Sequence, residues 1–254
     1  MKHPAVRRPL KSLMAAVRFL TILPLPGSGE KDPAFFDGAL YYFTITGLLI
    51  GSFGALFAFM LVNSLPVLVS AVFLTIFLSL ASGFLHLDGL ADSCDGLLSA
   101  RPASKCLEIM RDSRIGVMGA AALIAVFLLK TASIAAIDQE NIYQAMIIAP
   151  AAGRTAIIFM MALLPYARKN EGLGGLFYSG INQWAPLFSA LVFISATALL
   201  IPSKLVLLSI TLVLSVVLFS WICRKKIGGA TGDTLGAICE LSEAMILMAF
   251  CITL

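Results

Sequence analysis

A chain of 254 residues that is 59% hydrophobic and 13% charged is too apolar for a soluble domain, in which about a quarter of residues are charged. The composition excludes a soluble enzyme and implies an integral membrane protein. The surplus of 18 basic over 14 acidic residues is explained by orientation in a bilayer, so no nucleic-acid partner is expected. The five cysteines, Cys94, Cys106, Cys223, Cys239 and Cys251, form no C-x-x-C pair and are odd in number, which suggests neither a zinc site nor a disulfide framework.

The chain opens with Lys2, Arg7, Arg8, Lys11 and Arg18, followed by a short apolar stretch at 19–25. Broken by Pro24 and Pro26 and lacking an A-x-A-like cleavage site, this stretch predicts a short interfacial helix rather than a signal peptide. Gly, Ser, Pro and charged residues at 27–37 predict a surface loop. Seven apolar runs follow, each near the roughly 20 residues that a helix needs to cross a bilayer. They fall at 38–62, 66–84, 117–137, 142–164, 184–201, 205–223 and 234–253. The expected fold is an all-α polytopic membrane bundle forming a single domain over 1–254, with 1–37 as its cytoplasmic or interfacial segment. Basic residues test the span count, because they accumulate on the cytoplasmic side. With the N-terminus inside, the inner segments hold fifteen of the 18 basic residues, and the outer connections hold only Lys204. The alternation predicts a cytoplasmic N-terminus, an outer C-terminus, and a functional site on the cytoplasmic loops 85–116 and 224–243. There is no internal repeat of the kind that builds a transporter from inverted halves.

The stretch 86–96, HLDGLADSCDG, places Asp88, Asp92 and Asp95 at offsets of zero, four and seven, on one face of a helix. Three like charges there repel, and an all-oxygen ligand set suits Mg2+ or Mn2+. His86 just before them reads either as a phosphate contact or base, or as a hydrogen-bonding support. In LEIMRDSRIG at 107–116, Arg111 and Arg114 are three apart and so are expected on one helical face, where guanidinium forks match phosphate oxygens. The loop YARKNEGLGG at 166–175 carries Arg168, Lys169 and Glu171, which read either as contacts to a large ligand or, by default, as a solvated loop. In GGATGDTLG at 228–236, Gly229 and Thr231 precede a helix start, a place where backbone amides favour an anion, although glycines every four residues also serve close helix packing. Asp233, Glu240 and Glu243 share a face of the last predicted span. Arg154 lies at a depth, about 15 Å at 1.5 Å per residue, that allows an Arg–Glu contact in the bundle core, either structural or lining a cavity. Lys130 in the third span is similar, with a less obvious partner.

With these residues the chain resembles the cobalamin synthase family, adenosylcobinamide-GDP ribazoletransferase. The likeness rests on FLTILPLP at 19–26, HLDGLADSCDG, LEIMRDSRIG, the YARKNEGLG loop, and GGATGDTLGA followed by Glu240. It implies a bacterial inner-membrane transferase that moves the phosphocobinamide group from adenosylcobinamide-GDP to α-ribazole or its 5′-phosphate and releases GMP. Mg2+ is the expected cofactor, and a homo-oligomer is compatible. Phosphoryl transfer needs charge neutralised on nonbridging and leaving oxygens. Asp88, Asp92 and Asp95 are therefore expected to bind metal, with Asp233 or Glu240 completing the set or accepting the hydroxyl proton. His86, Arg111, Arg114, Arg154, Gly229 and Thr231 are expected on the substrate side. A CDP-alcohol phosphotransferase uses similar aspartates, but Leu90-Ala91-Asp92 follows Asp88-Gly89 where that family has Ala-Arg. A cation transporter would instead use Glu240, Glu243, Arg154 and Lys130 as an ion path.

Overall fold

The computed structural model describes residues 9–26, 29–168, 173–178 and 180–253 and is all-helical. Lys2, Arg7, Arg8, Lys169 and Glu171 lie outside the described residues, as does the side chain of Lys31. The first helix, α1 (Pro9–Leu20), comes earlier than expected, and residues 21–25 are irregular. Pro24 and Pro26 explain the shift, since proline lacks the amide that a helix needs and restricts the residue before it. Helix α1 buries Ser12, Ala15, Ala16 and Leu20 on one face. Arg18 binds Asp32 through two parallel bonds of 2.7 and 2.6 Å. The expected surface loop contains a 3-10 turn (Gly29–Phe35) and helix α2 (Phe36–Ala39).

Each of the seven apolar runs contains a helix: α3 (Phe43–Val62), α4 (Val67–Ala81), α7 (Val117–Ala136), α8 (Ile142–Leu163), α10 (Trp184–Leu200), α11 (Leu205–Ile227) and α12 (Gly232–Phe250). Short helices α5 (Leu85–Leu97), α6 (Ala103–Ile109) and α9 (Leu173–Tyr178) fill the connections. Among the described residues, four helical segments, Asp32–Val62, Val117–Ala136, Ile142–Leu163 and Pro202–Ile227, are long and apolar enough to cross a membrane, and five if α4 and α5 form one broken span. These are the helices of a membrane-embedded protein. Helix α11 turns Val206, Ile210, Val213, Val217 and Trp221 outward, which is favourable only where hydrocarbon rather than water surrounds them.

Helix α8 is the hub. Of its apolar window 78% is buried, against 22% to 33% for the other three crossing helices. It packs along α3, α12, α10 and α11, and α12 in turn packs on α5, α7 and α11. The chain turns by 89° between α4 and α5. Gly83 takes φ +59° there, the left-handed conformation that closes many helices, and Phe84 follows at φ 62°. The turn directs α5 away from the line of α4, and α5 packs against α12 and α7. At Gly89 a Cβ would sit 2.6 Å from the Asp233 carbonyl oxygen, so this glycine is what lets the two helices touch.

Candidate active site

A cavity of about 240 Å³ lies where α5, α12, α8 and α1 meet. Asp88, His86, Asp233, Arg168 and Tyr166 form its polar part, and Phe19, Phe43, Phe177, Ile157, Met161 and Leu235 line much of the remainder. Each carboxylate reaches this region for a local reason. Asp88 and Asp92 are one turn apart on α5, with Asp88 exposed and Asp92 half-buried. Asp233 stands in the first turn of α12, whose start is fixed by a capping box: the Thr234 amide donates to Thr231 Oγ1 at 3.3 Å, and the Thr231 amide donates to Thr234 Oγ1 at 2.8 Å. Asp233 accepts from Arg168 Nη2 at 2.6 Å and from Thr231 Oγ1 at 3.3 Å.

Burial first, and then the Asp88, Asp233 and Asp95 charges, push the Asp92 carboxyl up to about 7. Burial likewise raises Asp233 against the downward pull of Arg168. The two helices thus hold like charges that the protein does not fully offset. Asp95 differs from its neighbours. Its two oxygens accept the Gly116 and Gly119 amides at 2.7 and 2.8 Å, so it anchors the start of α7. Among the described residues no three His, Cys, Asp or Glu side chains converge into a ready-made metal cage. The all-oxygen, like-charged donor set nevertheless fits Mg2+, which is usually held by one or two carboxylates plus substrate phosphates rather than by a complete protein cage.

Other expected site residues are placed elsewhere. Glu240 is 1% exposed and accepts from Lys130 at 2.6 Å, seven residues or about 10 Å along α12 from Asp233. The structure therefore does not bring it to the aspartates. Lys130 also donates to Glu243 at 2.7 Å, and Arg154 donates to the other oxygen of Glu243. Arg154 Nη2 lies 3.5 Å from His86 Nδ1, a point where this buried group meets the cavity lining. Arg154 is thus a core residue one contact removed from the cavity. Lys130, whose partner was not obvious in the sequence, bridges both glutamates. The four residues proposed as an ion path bond to one another instead.

Arg111 and Arg114 do not share a helical face, because α6 ends at Ile109. Asp112 accounts for the break: its side chain accepts the Arg114 amide at 3.1 Å, a local bond that competes with helix. It also takes the Arg114 guanidinium at 2.9 and 2.6 Å. Arg111 is near enough to influence Tyr166 at the cavity edge. Gly229 packs on the Pro165 carbonyl, and the Ala230 amide donates to that carbonyl at 2.9 Å. Its loop is thereby tied to residues 165–167. The Thr231 hydroxyl is engaged in capping. Arg168 lines the cavity although the sequence reading favoured a solvated loop for it, since a charge in a Gly-rich loop gives no sign of reaching the start of α12, 65 residues away.

A family model described as cobalamin-5-phosphate synthase matches residues 12–251. The chain belongs to the cobalamin-5-phosphate synthase family. Its relatives include proteins named adenosylcobinamide-GDP ribazoletransferase from Klebsiella pneumoniae subsp. pneumoniae, 39% identical over 94% of this chain and 99% of theirs. Others are from Thermoanaerobacter sp. strain X514, at 37% over 95% and 97%, and from Clostridium novyi strain NT, at 33% over 94% and 96%. No solved structure matches. As a member of this family the chain is an enzyme, a transferase of cobalamin biosynthesis. The family match runs from α1 into the turn after α12 and so includes every element that lines the cavity.

Proposed function

We propose that the chain transfers the phosphocobinamide group of adenosylcobinamide-GDP to α-ribazole or its 5′-phosphate, with release of GMP, in a reaction supported by Mg2+. The observation that carries this reading is the cavity in which Asp88 and Asp233, from facing helices, meet Arg168 beside an apolar wall. Asp88 and Asp92 would hold the cation, Asp233 would stand beside them as the proton acceptor, and Asp95 fixes α5 against α7. When bound, Mg2+ supplies positive charge to the diphosphate oxygens. Arg168 offers its guanidinium to the same phosphates. The acceptor hydroxyl oxygen attacks the phosphorus on the corrinoid side, the bond from that phosphorus to the GMP oxygen breaks, and Asp233 takes the hydroxyl proton. Glu240, enclosed by Lys130, takes no part in that transfer.

The same reading sets the cavity at the cytoplasmic face of a bacterial inner membrane, with the N-terminus inside and the C-terminus outside. It is supported by the concentration of fifteen of the 18 basic residues in alternate connections. Membranes containing the protein, given the GDP-activated corrinoid and ribazole, are expected to release GMP only when ribazole and Mg2+ are both present. GMP release without ribazole would overturn the transfer, and cation flux into sealed vesicles without any nucleotide would favour a transporter.

A further inference from the structure

We propose that an apolar groove between α8, α10 and α11 seats one acyl chain of an anionic phospholipid, and that Arg224 holds the phosphate of that lipid at the mouth of the groove. The groove has a volume of about 280 Å³, and every side chain lining it is apolar, among them Phe159, Leu163, Pro186, Val213 and Val217. Leu163, Val213 and Val217 are each about half exposed, so it opens on the outside of the bundle, where hydrocarbon surrounds the helices. It shares no lining residue with the cavity of the transfer reaction.

The charge stands where a headgroup is needed. Val213, Val217 and Arg224 fall at offsets of zero, four and eleven on α11 and so share one face of it. Arg224 is about 16 Å along the helix from Val213, close to half of the roughly 30 Å hydrocarbon core, which is the depth that the acyl chain of one leaflet covers. The two tryptophans of the chain mark the same level. Trp184 begins α10 two residues before Pro186, and Trp221 lies one turn inside Lys225, whose Nζ is 4.0 Å from the centre of its ring. Tryptophan collects at the headgroup boundary of a bilayer. Arg224 is exposed, and its Nη2 reaches the Leu163 carbonyl only at 3.5 Å, a contact too long to hold the guanidinium fork against a phosphate. Lys226, by contrast, is committed to the Ser99 carbonyl at 2.7 Å. A nucleotide or a sugar has no polar group to meet inside the groove, whereas an acyl chain needs none.

The full-length protein, placed in nanodiscs of equal phosphatidylglycerol and phosphatidylcholine and then released into a native mass spectrometer, is expected to retain phosphatidylglycerol in about fivefold excess, the preference that one basic residue near a membrane surface confers. Arg224→Gln should abolish that excess while some lipid is still retained. Val217→Trp fills the groove and should strip lipid of both kinds with Arg224 in place. Both positions are exposed on α11, and each variant tests the seat without the other. Equal retention of the two lipids by the wild type, an excess that survives Arg224→Gln, or unchanged retention in Val217→Trp would each overturn the seat, the last by reducing Arg224 to a surface charge. A two-chain mass that reverts to one chain in Val217→Trp would overturn it as well, by giving the groove to a second copy of the protein. The readout is lipid mass, so it stands whether or not GMP is released.

Discussion

Helix α12 carries acidic residues in two settings. At its first turn Asp233 joins Asp88 and Asp92, whose charges repel, with Arg168 as the cation bonded to Asp233. Two turns deeper, Glu240 and Glu243 are each 1% exposed and are matched in number by Lys130 and Arg154. The deep group is neutral as a set and therefore tolerable away from water, whereas the cluster at the cavity is an excess of negative charge that a bound cation would relieve. Residue type alone does not mark a site. What distinguishes the two acidic groups of one helix is whether the fold supplies their countercharge.

The largest expected effect falls on the deep group. Glu243→Ala leaves Lys130 and Arg154 facing the single carboxylate of Glu240, and removing one partner from a buried ion network costs about 3–5 kcal/mol. Thermal unfolding in detergent should show a large loss of stability whatever substrate is present. A variant as stable as the wild type would mean that the deep group is not the structural counterweight described here. Asp92→Asn should do the reverse. Removing one of several repelling charges leaves folding intact or improved, while GMP release falls about 100-fold or more, the size expected when an electrostatic stabiliser of the transition state is lost. Near-normal turnover with Mg2+ still required would remove Asp92 from the metal set.

The helices were legible in the sequence because apolar runs near membrane length and the proline and glycine positions determine them locally. The helical face shared by Asp88 and Asp92 was legible for the same reason. Long-range pairing was not. Lys130 and Glu240 are 110 residues apart, Arg168 and Asp233 are 65 apart, and nothing in either local pattern says which will meet. The 89° turn at Gly83 and Phe84 was hidden as well, since the run at 66–84 has the hydropathy of an uninterrupted span. Arg111 and Arg114 were misread because helical spacing was assumed across Asp112, whose side chain favours a turn.

The pH dependence of the metal-free protein sharpens the contrast further. Asp92 has a folded-state pKa of about 7, above its ordinary value of 3.8, so the folded state holds a proton that the unfolded state has lost over that interval. Stability in chelator should therefore fall as pH rises from about 4 to 7 and level off above. Mg2+ should flatten the slope by replacing the proton as the source of countercharge. A slope that persists in Asp92→Asn would assign it to another group.

The smallest effect separates two arginines that look equivalent in sequence. The Arg114 side chain is 87% exposed, and its fork is already taken by Asp112. Such a pair, screened by water, adds little to stability. Arg114→Lys should leave unfolding unchanged and alter the KM for the GDP-activated corrinoid only slightly, because the displaced fork was bound to the protein. Arg168→Lys keeps a positive charge beside Asp233 but loses the planar fork inside the cavity, so it should raise that KM about tenfold while folding is retained. If Arg114→Lys gave the larger KM change, Asp112 would have to release its arginine when substrate arrives. The phosphate clamp would then belong to the turn after α6 rather than to the loop that meets the start of α12.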